Sequence, residues 1–196
     1  MPPKLFDRET LINITLYFEG FLLLVATIWA YLSHINLAQS LTFTWTAAAI
    51  GVGAGIALAL TSTLFFWLGK YFVLFNQLRQ LVIDYVKPMF TDITVIDALL
   101  IALASGFCEE IFFRGVMQVR LGIWWTSLVF GLIHGPLPSL FSYALWATLA
   151  GLFLGILTEW QKTLWTPILC HMVSNFIALI FLRYFVKPVE PKPEET

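Results

Sequence analysis

Glu109-Glu110-Ile111-Phe112-Phe113-Arg114 sets two carboxylates and a guanidinium in a run that otherwise reads Ile-Ala-Leu-Ala-Ser-Gly-Phe-Cys before it and Gly-Val-Met after it. An ionised group at the centre of a membrane helix costs about 2.5–3.5 kcal/mol on insertion scales, so three together require partners. On a helix, Glu110 and Arg114 lie four residues apart on one face, with the carboxylate N-terminal, the better order for an ion pair. Glu109 is turned about 100° away from Glu110. That spacing lets one carboxylate be neutralised while the other stays free to act as a base. His134 follows Phe130 by four residues, and His171 precedes Asn175 by four, which puts imidazole and carboxamide on one helical face. Two of the chain's 3 histidines therefore fall in apolar segments. Together these side chains supply a base, a second base or ligand, and hydrogen-bond donors, the parts needed for hydrolysis through a charged intermediate.

The elements that carry them must lie in a bilayer. Of 196 residues, 59% are hydrophobic, and the mean hydropathy is +0.83. No Asp, Glu, Lys or Arg occurs between Glu19 and Lys70, or between Arg120 and Glu159, and both stretches exceed the roughly 20 residues that cross a membrane. The expectation is an all-α, polytopic integral membrane bundle with about six transmembrane helices, near 11–32, 44–68, 95–118, 122–135, 139–159 and 164–185. Ser33–Ser40 reads as a loop, and Gly135-Pro136-Leu137-Pro138 breaks the second long apolar stretch. The first run is too long for a cleaved leader and lacks a small-x-small site, so it reads as a retained span.

Residues 70–88 differ. Asn76, Gln77, Gln80, Asp84 and Lys87 recur opposite Phe72, Phe75, Leu78, Leu81, Val82 and Tyr85, the pattern of an amphipathic interfacial helix or of a connector packed on the bundle. The chain thus divides into a two-span segment with amphipathic linker (1–94), a core of about four spans (95–185) and a charged, proline-rich tail (186–196) expected to be disordered. Lys4 and Arg8, then Lys70, Arg79 and Lys87, then Arg183, Lys187 and Lys192 place both termini and the 69–92 loop in the cytoplasm of a plasma membrane. The lipid bilayer is the main partner. A net charge of −1 without a basic cluster excludes nucleic acid. Cys108 and Cys170 read as small buried residues.

Glu109-Glu110-x-x-x-Arg114, Phe130-x-x-x-His134 and His171-x-x-x-Asn175, in this order on three spans, resemble the CPBP (Abi) family of intramembrane proteases, which includes type II CAAX prenyl endopeptidases and bacteriocin-processing or immunity proteins. Gly151-Leu-Phe-Leu-Gly155 and Leu164-Trp-Thr-Pro-Ile-Leu-Cys-His171 add to the resemblance, which covers about 95–182. It implies a membrane endopeptidase acting on a membrane-associated protein or peptide. Glu109 and His134 would activate a water, His171 and Asn175 would stabilise the oxyanion, and Glu110 with Arg114 would hold the helix in register. The resemblance is compatible with a metalloprotease or a glutamate protease. Were a metal used, zinc would take Glu109, His134 and His171; Asn175 suits an oxyanion donor better than a ligand, which favours the metal-free route.

Other readings use the same cluster. Paired membrane histidines could ligate a haem, but that leaves Glu109, Glu110 and Arg114 unexplained. A scaffold, immunity protein or proton-relay transporter would also retain buried charge. Asp97 reads as a helix-start carboxylate. Glu19 lies deep enough in the first span to need a partner that the sequence does not name. Gly151-x-x-x-Gly155 suits close helix packing, and Trp124, Trp125, Trp160 and Trp165 suit interfacial anchoring.

Overall fold

A chain in hydrocarbon must satisfy its own backbone donors and acceptors, and uninterrupted apolar runs do so as helices. The computed structural model describes residues 6–135 and 140–187, and their regular structure is helical. The order is α1 (Arg8–Leu32), α2 (Leu37–Ser40), α3 (Trp45–Leu68), α4 (Val73–Leu81), a π-helical segment Val82–Val86, α5 (Lys87–Met89), α6 (Val95–Glu110), a second π-helical segment Ile111–Met117, α7 (Gln118–His134), α8 (Phe141–Gln161) and α9 (Trp165–Phe185). Asp7, Thr44 and Thr94 start α1, α3 and α6 by accepting from backbone N–H groups with their side chains.

Four of these helices, α1, α3, α8 and α9, are long and apolar enough to cross a membrane. The other two expected spans meet at a break. Helix continues from Val95 through the second π segment into α7, where Gly122 takes φ +77°, a conformation suited to glycine. The limb from Ile123 to His134 is about 18 Å long at 1.5 Å per residue, short of a roughly 30 Å hydrocarbon core. Six helical segments are thus present near the expected positions among the described residues; four are single helices long and apolar enough to cross, whereas the helix over 95–121 is long but carries Asp97, Glu109, Glu110, Arg114 and Arg120. Ser33–Ser40 is not wholly loop, because its last four residues form α2. Pro136, Leu137 and Pro138 of the expected break, and all but the first two residues of the expected tail, lie outside the described residues.

One end of the bundle gathers Arg8, Lys87 and Arg183. Arg8 of α1 grips Asp97 of α6 with Nε–Oδ2 at 2.6 Å and Nη2–Oδ1 at 2.7 Å. Asp97 also accepts from the Thr94 backbone N–H, closing a capping box at the helix start. Lys87, expected on a solvated face, is instead buried, and its Nζ donates to Leu182 O at 2.8 Å and Arg183 O at 3.1 Å. The last turn of a helix leaves carbonyls without intrahelical donors, and a cation satisfies them with favourable dipole geometry. The opposite end is tied by Leu164 N donating to Ser40 O at 2.8 Å and Trp165 Nε1 donating to Leu41 O at 2.9 Å. Trp165 therefore staples two loops, whereas Trp124, Trp125 and Trp160 are exposed as interfacial anchors would be.

Between these ends, α3 lies against α9 along a stripe of small residues, Ala47, Gly51, Gly55 and Ala59. A Cβ on Gly51 would stand 2.6 Å from Thr166 O, and one on Gly55 2.6 Å from Cys170 O, so this backbone approach admits no side chain. That contact fixes the helix bearing His171 and Asn175.

Two outcomes follow. Gly55→Leu should cost about 3 kcal/mol, the upper part of the overpacking range, whereas Gly53→Ala, whose Cβ meets nothing within 4 Å, should not destabilise; thermal unfolding of the purified protein in detergent compares them. Burial, and then the Arg183 charge, hold the Lys87 ammonium below the ordinary lysine value of 10.5. The unfolded chain then binds the proton more tightly, so stability should rise with pH between the lowered folded value and 10.5, and Lys87→Met should abolish that alkaline gain.

Candidate active site

The candidate groups come from α6, its π continuation, α7 and α9. Glu110 has no exposed surface and Arg114 is 1% exposed, so neither charge reaches water. Arg114 Nη1 donates to Glu110 Oε1 at 2.9 Å, and Nη2 donates to Gly151 O on α8 at 2.9 Å. The guanidinium also lies over the Phe130 ring, 4.7 Å from its centroid. From α9, His171 donates through Nδ1 to the same Glu110 Oε1 at 2.7 Å. One carboxylate oxygen thereby joins α6, the π segment, α8 and α9.

The π segment begins directly after Glu110. Its wider turn departs from the regular α-helix assumed in reading the Glu110–Arg114 spacing, yet the pair still closes. One turn further on, Gln118 repeats the link: its Nε2 donates to Gly155 O at 3.2 Å and to Glu159 Oε1 at 3.1 Å. Gly151 and Gly155 thus do more than permit approach, since their carbonyls receive two polar rungs, and a Cβ on Gly155 would lie 2.7 Å from Gln118 Oε1.

Glu109 has a different environment. It is buried, its Oε2 faces no hydrogen-bond donor, and this oxygen stands 3.8 Å from His134 Nε2. His134 Nδ1 lies 2.8 Å from Phe130 O, an acceptor, so this nitrogen carries the proton. In the neutral ring Nε2 then presents a lone pair toward Glu109. A separation beyond direct hydrogen bonding between two proton acceptors is one that a single water can bridge.

His134, His171 and Asn175 line one cavity of about 210 Å³. Its walls continue through Leu58 on α3, Leu78 on α4 and Leu182 on α9, so it runs from the imidazoles toward the basic end. Asn175 Nδ2 donates to Ser105 Oγ at 3.0 Å, leaving its second amide hydrogen available. All six expected site residues are therefore described, and Phe130 packs against both imidazoles, at 4.3 Å from His134 and 6.1 Å from His171 between centroids.

Residues 91–177 match the family model described as type II CAAX prenyl endopeptidase Rce1-like. This segment is similar to that family. It holds all six residues above, and leaves α1 and α3 outside the match. An uncharacterized protein of Bacillus subtilis (strain 168), YpbD, is 28% identical over 98 residues, covering 50% of this chain and 52% of the relative. The chain thus spans about half the length of the curated relative it matches. No solved structure matches.

Among the described residues no three His, Cys, Asp or Glu side chains gather as a metal-holding group. The Nδ1 atoms of both imidazoles are committed, to Phe130 O and to Glu110, which leaves Nε2 as the nitrogen each ring presents to the site. Three contributors escaped the sequence reading. Ser105, one turn before Glu109 on the same helical face, was visible as spacing but has no distinctive chemistry. Gly151 acts through its carbonyl, which sequence does not mark. Tyr143 packs edge-on to His134, with centroids 6.3 Å apart, from a helix with no motif at that position.

Removing Arg114 strands a fully buried carboxylate. Arg114→Leu should cost about 3–5 kcal/mol, and Arg114→Lys should recover part of it, because an ammonium cannot span Glu110 and Gly151 O in the forked geometry of a guanidinium. Thermal unfolding in micelles reads both variants.

Proposed function

We propose that the chain is a membrane endopeptidase that hydrolyses a peptide bond of a membrane-associated protein or peptide with a water activated by Glu109 and His134. The observation carrying this reading is the unpaired Glu109 Oε2 facing His134 Nε2 across 3.8 Å, beside two further donors that line one cavity with His134. A water in that gap would give its proton to Glu109 or His134 as its oxygen attacks the carbonyl carbon. The resulting oxyanion would be met by the free Nδ2 hydrogen of Asn175 and by Nε2 of His171. Because His171 Nδ1 donates to Glu110, Nε2 can donate only from the imidazolium, and Glu110 supplies its counter-charge. The stored proton then passes to the departing amine as the C–N bond breaks, leaving an amine and a carboxylic acid whose remaining proton passes to that amine.

Glu110 and Arg114 take no proton in this scheme and hold the helices. That no three His, Cys, Asp or Glu side chains gather among the described residues supports the metal-free route. The Rce1-like match supports CAAX-type processing as the kind of reaction. The gathering of Arg8, Lys87 and Arg183 at one end supports placing that end in the cytoplasm of a plasma membrane. A scaffold or proton relay would retain the buried ion pair but has no use for an oxyanion donor pair beside an open base.

Comparison of protein N-termini and C-termini in cells carrying wild type, Glu109→Ala or His134→Ala should show products that vanish in both variants, while Asn175→Ala should slow their appearance about 10²–10³-fold. Identical termini in all strains would remove proteolysis. With a peptide identified in this way, activity should survive exhaustive chelation; loss that zinc restores would replace the metal-free route.

A further inference from the structure

The cavity that His134, His171 and Asn175 line is closed differently on its several sides. Toward the basic end its floor is continuous helix: Leu78 of α4 and Val82 and Val86 of the following π segment line it, and helix runs unbroken from Val73 to Met89. On another side, Gly51 and Gly55 bring α3 and α9 to backbone contact. The seam between α3 and α8 has two halves. In the half away from the basic end, Ile50, Ala54 and Leu58 of α3 pack on a core that includes Leu154 and Leu157 of α8. In the half next to the basic end, among the described residues, aromatic side chains hold it. Phe65 of α3 stacks on Phe75 of α4 with centroids 4.6 Å apart and meets Trp146 of α8 edge-on at 5.0 Å. One turn of α8 nearer the basic end, Ser142 Oγ donates to Gln77 Oε1 of α4 at 2.6 Å.

Both sides of this ring cluster are apolar. Outside, Leu64 next to Phe65 and Leu145 and Leu149 beside Trp146 are exposed, so a bilayer places hydrocarbon against them. Inside, Trp146 lines the cavity, and no Asp, Glu, Lys or Arg is among the described residues that do. The hydroxyls of Ser62, Thr63 and Ser174 on its walls donate to carbonyls of their own helices, Leu58 O, Ala59 O and His171 O. A charged segment would be desolvated there without partners, whereas an apolar one exchanges lipid for protein at little cost. Three rings can part by rotamer changes without opening a helix, as a backbone floor cannot. From these contacts we propose that the α3 and α8 seam at Phe65, Phe75 and Trp146 is the entrance to the site. Through it the apolar part of a membrane-associated peptide passes from hydrocarbon to the imidazoles. The identity of the occupant rests on the endopeptidase reading, but the route exists without turnover. Because α3 and α4 lie outside residues 91–177, the entrance is built partly by chain that the family match does not cover.

Thiol labelling of the full chain in lipid nanodiscs tests the route without a substrate. Ser62→Cys puts a thiol on the cavity wall, read over the background of the parent chain, whose Cys108 and Cys170 are buried. N-ethylmaleimide should label it faster than a sulfonated maleimide does. Adding Trp146→Ala should speed the N-ethylmaleimide reaction about tenfold, the upper worth of one aromatic pair, and Trp146→Phe should keep it near the Ser62→Cys rate. A rate unchanged by Trp146→Ala, or faster labelling by the sulfonated reagent, overturns the proposal. Cleavage of the peptide identified from cellular termini supplies the second readout. Joining Gln77→Cys to Ser142→Cys with a short reducible bis-thiosulfonate linker should lower kcat/KM at least about tenfold by holding the entrance shut. Dithiothreitol should restore it, and the parent chain treated alike should keep its rate. Full activity while the linker is in place also overturns the proposal. If instead Glu109→Ala leaves all termini unchanged, the endopeptidase reading fails while the labelling rates still decide the entrance.

Discussion

A carboxylate with no exposed surface sits at the junction of four helical elements, and its compensation organises the rest. Glu110 Oε1 receives Arg114 at 2.9 Å and His171 at 2.7 Å, while Arg114 passes on to Gly151 O. Desolvating such charges costs several kcal/mol per ion, which a pair recovers only with good geometry and further hydrogen bonds. Here the fork of the guanidinium meets a carboxylate and a backbone carbonyl at once. The result is a rigid connection in which α6, α8 and α9 cannot slide independently, and the neighbouring Glu109 is left with its own oxygen unclaimed.

Packing serves that connection. Gly51 and Gly55 let α9 approach α3 to backbone contact, and Gly151 and Gly155 bring α8 close enough for its carbonyls to receive Arg114 and Gln118. In a bilayer, lipid tails are as apolar as leucine, so such close approach and hydrogen bonding must replace the hydrophobic drive between helices. The ends are then locked by groups that live near water: Arg8 with Asp97, Lys87 with the last carbonyls of α9, and Trp165 with Leu41 O.

Much of this was legible because charges in apolar runs are rare and helical spacing is regular. Glu110 and Arg114 read as a pair from their separation, and His134, His171 and Asn175 stood out as polar groups on apolar helices. Other features depended on tertiary context. Lys87 has the periodicity of a solvated residue, and only the approach of the α9 terminus makes it a buried donor. The π segment after Glu110 leaves no compositional trace, and the break at Gly122 could not be told from an ordinary membrane glycine. Glu19 announced the need for a partner, which single-sequence patterns, blind to what another helix brings near, do not name.

The central claim is that Glu109 and His134 hold a water between them while Glu110, Arg114 and His171 form the frame. An experimental structure of the protein in lipid, at a resolution that shows ordered water, tests it most directly. The account expects a water within hydrogen-bonding distance of both Glu109 Oε2 and His134 Nε2, with His171 Nδ1 still on Glu110. A metal ion bound by Glu109 and both histidines, or a Glu109 carboxylate turned away from His134, would contradict it.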